Sequence, residues 1–183
     1  MNRPLRKDAA LRRAALFEAA AAEFSERGLD VPLDAIADRA GVGRATLYRN
    51  FAHRDELVLA VFAGLVDELG DRMRTNSGPG AFFQFVEELA DLLLRNVGLS
   101  AALRHSQSRE ALPQLRQKII AAGTLALSSS QAAGTVRADL KAEDIRIVAA
   151  LLGAGLDTAD PTEREAISRR SRGLLVDGLR SRS

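Results

Sequence analysis

Arg44, Thr46, Tyr48 and Arg49 stand close together and are side chains of the types that grip a polyanion. Arginine can hold guanine O6 and N7 through two hydrogen bonds, and threonine donates to phosphate or touches a thymine methyl. A tyrosine hydroxyl suits a backbone phosphate. A helix starting at Arg44 also turns its first backbone N–H groups outward, where phosphate is favoured. The rest of the chain holds no set of comparable chemical meaning. There is no cysteine, which excludes a disulfide framework, a thiolate zinc site and a cysteine nucleophile. His53 and His105 are the two histidines and leave little scope for a metal site. Glu87 and Glu88 are adjacent, so on a helix they face different ways and make no catalytic pair. No Ser-His-acid arrangement, phosphate-cradling glycine loop or metal-ligand spacing emerges. Neither an enzyme nor a resident metal or cofactor is expected.

The elements that must position these residues are legible around them. Leu33 to Ala40 reads as a short helix, with Pro32 at its start and Asp34 where negative charge is favoured. Gly41-Val42-Gly43 interrupts it, and a second short helix runs from Arg44 to about Asn50. Ile36, Ala40, Val42 and Leu47 supply apolar contacts that lock the two at a steep angle. Ala37 is small where they approach, and Gly41 permits the positive φ of the turn. This is a helix-turn-helix, whose second helix lies in the DNA major groove. Leu47 and Phe51 are expected inside it.

The run from Ile36 to Leu57 (IADRAGVGRATLYRNFAHRDEL) resembles the signature of the TetR family of bacterial transcriptional regulators. The first helix, ending at Phe24-Ser25-Glu26-Arg27-Gly28, resembles that family too, so the likeness covers roughly residues 10–60. Gln131 to Leu140 is similar to a bend before the last two helices in many members. The resemblance implies about nine helices, the first three binding DNA. It implies a homodimer held by the last two helices and a small-molecule pocket inside the C-terminal bundle, with ligand moving the fourth helix. Carried over by position, Arg44, Ala45 and Thr46 open the recognition helix, Tyr48 contacts phosphate, and Arg54 stands where the family usually has a phosphate-binding lysine. Arg49 flanks the same surface. Gly43 replaces a common Ser or Thr cap, Asn50 a common His, and Ala52-His53 a more usual Pro or Ser.

The remaining sequence is helical. Ala10, Ala14, Phe17, Ala21 and Phe24 form one stripe, and Val58, Val61, Phe62, Leu65 and Leu69 another, on a helix from His53 to about Arg74. Thr75 to Gly80 is a loop. Phe82, Phe85, Val86, Leu89, Leu92 and Leu93 make a third stripe. A short helix is predicted over Leu99 to Ser106 and a long one over Leu112 to Ala133. Ile145 to Leu156 is apolar nearly all round, which calls for cover on more than one side. Asp160-Pro161-Thr162-Glu163 opens the last helix with an Asp cap and Pro in the first position.

These readings give an all-α chain with a helix-turn-helix DNA-binding domain over 1–52 and a ligand-binding and dimerisation domain over 53–183. The expected dimer contacts are Ile145, Val148, Leu152, Leu156, Leu174, Leu175 and Leu179, with Gly153 and Gly155 allowing close approach. Candidate pocket residues for an unknown small-molecule effector are Phe62, Phe82, Phe85, Leu89 and His105. Arg169, Arg170 and Arg172 read as a solvated face. Charge agrees: residues 1–54 carry 10 Lys+Arg against 7 Asp+Glu, and the remainder 16 against 17. No apolar run reaches the ~18 residues of a membrane span, and no signal-type stretch follows the basic N-terminus. The function expected is a cytoplasmic, ligand-responsive repressor binding a palindromic operator as a homodimer. The alternative is a small-molecule-binding helical module without sequence-specific DNA binding.

Overall fold

The computed structural model describes residues 3–51, 53–100 and 111–181. Its helices are α1 (Arg3–Arg27), α2 (Leu33–Arg39), α3 (Arg44–Asn50), α4 (Arg54–Arg74), α5 (Ala81–Arg95), α6 (Ala111–Ala132), α7 (Ile145–Gly153) and α8 (Pro161–Leu179). A 3-10 turn (Ala142–Asp144) precedes α7, and residues 97–100 are also helical. The all-α expectation of about nine helices holds. Most of the short helix predicted over Leu99 to Ser106 lies outside the described residues.

α4 is the spine. It buries Leu57, Val58, Leu59, Val61, Phe62, Val66, Leu69 and Met73, and packs on α1, α5 and α6. Its approach to α6 is close at Gly70, where a Cβ would stand 3.4 Å from that of Ala122. α5 is the most amphipathic helix, with Phe82, Phe85, Val86 and Leu89 all buried. Room for the Phe85 ring comes from Gly123 on α6. A Cβ there would lie 2.7 Å from Phe85 Cε1 and 3.1 Å from Ile145 Cδ1.

Polar contacts fix the ends of these helices. The first N–H groups of a helix lack internal partners. On α5 the Phe82 N–H donates to the buried Ser130 Oγ of α6 at 3.0 Å. Asp160 caps α8 as predicted, its Oδ1 accepting from the Thr162 N–H at 2.9 Å. The end of α8 is pinned beside the loop after α6, where Arg137 N–H donates to Leu179 O and Ser181 N–H to Thr135 O, both at 3.1 Å.

Two sequence expectations change here. Arg172 does not belong to a solvated face: its Nη1 lies 3.0 Å from Glu87 and 3.1 Å from Asp91, tying α8 to α5. Glu88, as expected, faces elsewhere and pairs with Arg72 at 2.8 Å. α7 ends at Gly153, short of Leu156. The turn that follows needs Gly155, whose φ is +83° and whose missing side chain leaves space for Ile167 of α8. The close approach at Gly155 is thus made within one chain.

The head, α1 to α3, is braced by charge. Buried Glu23 accepts from Arg27 and Arg39, each at 3.1 Å, and Arg39 also grips Glu26 through two bonds of 2.7 and 2.9 Å. The Arg39 hydrogen bonds hold the Glu26 carboxyl below the usual glutamate value. A depressed folded-state value contributes stability that is complete above the unfolded value and lost as pH falls through the folded one. The difference in Tm between the parent and Glu26→Gln is therefore expected at neutral pH and should vanish on acidification through the carboxylate range. Gly123→Ala is expected to cost about 1–3 kcal/mol in urea unfolding, because the Phe85 ring must move.

Candidate nucleic-acid interface

The turn between α2 and α3 is a Schellman motif. Val42 N–H donates to Ala37 O at 3.0 Å and Gly41 N–H to Asp38 O at 3.1 Å, with Gly41 at φ +65°. These two bonds satisfy carbonyls that the end of α2 leaves free, and the left-handed residue between them has to lack a Cβ to adopt that φ without cost. Ile36, Ala37 and Leu47 are fully buried, so α3 is keyed to α2 by one leucine. Phe51 closes the far end against Phe17 of α1, ring centroids 5.9 Å apart, with Arg13 5.2 and 5.5 Å above the two rings. Leu47 and Phe51 are core, as read from the sequence.

Turning Leu47 inward turns the polar residues outward. Arg44, Ala45, Tyr48, Arg49 and Asn50 are exposed and Thr46 is half-buried. Tyr48 is 50% exposed, which rules it out as a core residue. Arg49 lies back along its own helix, donating to Ala45 O at 3.1 Å and Thr46 Oγ1 at 3.2 Å. Asn50 donates to Thr46 O at 2.7 Å. An acidic residue faces this surface. Asp34, in the first turn of α2, pairs with Arg44 Nη1 at 2.8 Å, and the Tyr48 hydroxyl reaches its other oxygen at 3.5 Å. In the sequence Asp34 is legible only as a favourable charge at a helix start. Its nearness to α3 depends on the angle between two helices, which no local pattern encodes.

Arg54 makes a contact within the chain that its sequence position does not indicate. The side chain is half-buried, and its Nη1 donates to the carbonyls of Leu29 and Val31, the latter at 2.8 Å. The residue that opens α4 thus clamps the α1–α2 loop. A cleft of about 450 Å³ lies beside this joint, lined in part by Arg13, Phe17, Phe51, Leu59 and Lys118.

The pocket candidates are not gathered around that cleft. Phe62, Phe82, Phe85 and Leu89 are packed in the core, with Phe82 and Phe85 stacked at 5.9 Å. His105 lies outside the described residues. Of the expected dimer contacts, Ile145, Val148, Leu152, Leu156 and Leu179 are also interior, each satisfied by its own chain. Leu174 is exposed and Leu175 half-buried. A helix apolar all round does not say which face its own chain covers, and the five interior residues lie on the covered face. Among the described residues no group of three or more His, Asp or Glu is placed to hold a metal ion, and no helix is long and apolar enough to cross a membrane.

Comparison with known proteins places this geometry. Residues 16–61 match the profile of bacterial regulatory proteins of the tetR family, and residues 78–181 match the C-terminal domain of SbtR-like transcriptional regulators. The HTH-type transcriptional regulator BetI of Brucella anthropi is 32% identical over 175 residues, 92% of this chain and 79% of that protein. The HTH-type transcriptional activator FasR of Mycolicibacterium smegmatis is 38% identical over 89 residues, 42% of this chain and 41% of that protein. A TetR transcription regulatory protein from Mycobacterium vanbaalenii has 34% identity and a TM-score of 0.65, over 97% of this chain and 99% of that one. With the helix-turn-helix formed as its sequence predicts and both halves matched, the chain belongs to the TetR family of bacterial transcriptional regulators.

Proposed function

We propose that the protein is a ligand-responsive repressor that binds a two-fold-symmetric DNA operator as a homodimer in the cytoplasm. The carrying observation is the division of α3. Leu47 goes inward, while Arg44, Ala45, Thr46 and Tyr48 form the side presented to solvent beyond the turn. In this reading Arg44 reads a base edge, Thr46 and Tyr48 hold phosphate, and Arg49 swings off its own helix to join them. Arg54 acts first through the α1–α2 loop, whose carbonyls it clamps, and so links the head (1–52) to the bundle (53–183) that opens with α4.

Support for the dimer comes from the face that the chain leaves open. Ile147 and Leu151 of α7 are each 48% exposed and Leu174 of α8 is 55% exposed. Leu151, Leu174 and Leu175, with Ala154 and Gly178, border an apolar groove of about 410 Å³. Large apolar side chains grouped in this way are ordinarily covered by a partner. A second copy supplies identical surfaces about a two-fold axis and sets two recognition helices on one side of the DNA. The effector is a small molecule, and the cleft at the head–bundle joint is one place where its binding would alter the angle between them.

Fragments selected from random duplex DNA by the purified protein should contain inverted half-sites about 34–36 Å apart, one helical turn. Arg44→Ala is expected to weaken the selected site by about 1–3 kcal/mol and to relax preference at one base per half-site. Arg54→Ala should weaken all sequences alike and also lower Tm, because two carbonyls lose their donor. Equal binding by parent and Arg44→Ala would refute the assignment of α3. Leu151→Asp with Leu174→Asp should turn a sedimenting dimer into a monomer, and a parent already monomeric at micromolar concentration would overturn the dimer.

A further inference from the structure

Asp34 is an acidic residue set against two exposed functional side chains of α3, Arg44 and Tyr48. Its Oδ2 lies 2.8 Å from Arg44 Nη1 and its Oδ1 accepts, weakly at 3.5 Å, from the Tyr48 hydroxyl. Arg44 and Tyr48 are four residues apart and share one face of the helix. The carboxylate comes from the other helix of the motif. An exposed pair of this kind adds little to folding stability. Its consequence falls on what Arg44 meets. A DNA phosphate carries the same charge as Asp34 and competes with it for the guanidinium. A guanine edge is neutral and offers acceptors to the guanidinium nitrogens that Asp34 leaves open. A carboxylate beside the arginine therefore opposes phosphate and tolerates a base.

We propose that Asp34 is a specificity-determining residue, one that lowers affinity for arbitrary DNA by occupying Arg44 and orients the guanidinium toward a base edge. Specificity is a difference of affinities, and raising the cost of the wrong complex serves it as well as improving the right one. Asp34 acts through Arg44 and is a positioning residue. The inference rests on the DNA-reading role of α3 proposed above.

The test compares the full-length parent, Asp34→Asn and Asp34→Glu on two duplexes of equal length, one selected from a random pool and one with its half-sites scrambled. Binding is measured at two salt concentrations. Asp34→Asn should bind the scrambled duplex several-fold tighter at low salt. Its salt dependence should steepen by about 0.9 in log–log slope for each phosphate that a released Arg44 neutralises. The ratio of selected to scrambled affinity should fall by about tenfold, with Asp34→Glu intermediate. In an Arg44→Ala background the same substitution should change neither ratio nor slope, as expected when one side chain acts through the other. Glu68→Gln, an equal charge change on the exposed side of α4, should shift both duplexes alike. If Asp34→Asn melts below the assay temperature, Asp34→Ser removes the same charge and keeps a side-chain acceptor near the helix start. An unchanged ratio in a folded variant, or an equal change without Arg44, overturns the proposal. A parent that does not discriminate the two duplexes overturns the DNA-reading role itself, and the proposal with it.

Discussion

The insertion of Leu47 beneath α2 is the contact on which the rest of the molecule's surface chemistry depends. A helix as short as α3 is not stable in isolation, because nucleation costs more than a single turn returns. Leu47 is its one buried side chain, set against fully buried Ile36 and Ala37. The Schellman turn at Gly41 fixes the angle at which that leucine arrives. With it in place, helical periodicity alone determines that Arg44, Ala45, Tyr48 and Arg49 face out. Truncating it would cost about 2–5 kcal/mol, a large share of the stability of a small domain.

The head is joined to the bundle by the packing of α1 on α4 and by one side-chain clamp. Arg54 clamps the α1–α2 loop from the first turn of α4, donating to the carbonyls of Leu29 and Val31. α4 then runs on through the core, close to α6 at Gly70 and Ala122. A rigid element that touches the loop at one end and the bundle along its length can carry a displacement between them. This is the physical form that ligand response takes in the proposed function: a change in the bundle acts on α4, and Arg54 passes it to the loop that orients α2 and α3.

Local features were legible in the sequence, and relations between elements were not. Residues such as Gly41, Pro161 and Asp160 act on their immediate neighbours, so the helix starts and stops they dictate are where they were read. The bounds of α3 match, and Leu47 and Phe51 are inside. Leu152 and Leu151 show the limit. Both are apolar and adjacent on one helix, yet only the packing of α5, α6 and α8 decides which is buried. Arg172 likewise read as solvated until α5 brought Glu87 and Asp91 to it. Arg54 matched a position associated with phosphate, but its clamp on Leu29 and Val31 depends on a loop a full helix-turn-helix away in the chain. Asp34 is the same case within the interface, since a carboxylate on one short helix meets an arginine on the next only once the turn between them has formed.

In the proposed function α3 reads bases in the major groove. Methylation interference at guanine N7 on a selected fragment addresses it most directly, because N7 lies in that groove and is one of the two acceptors an arginine takes from guanine. Methylation should block binding at a guanine in each of two symmetric half-sites, and Arg44→Ala should remove this sensitivity. Binding that is indifferent to N7 methylation throughout the fragment would mean that α3 does not read guanine in the major groove.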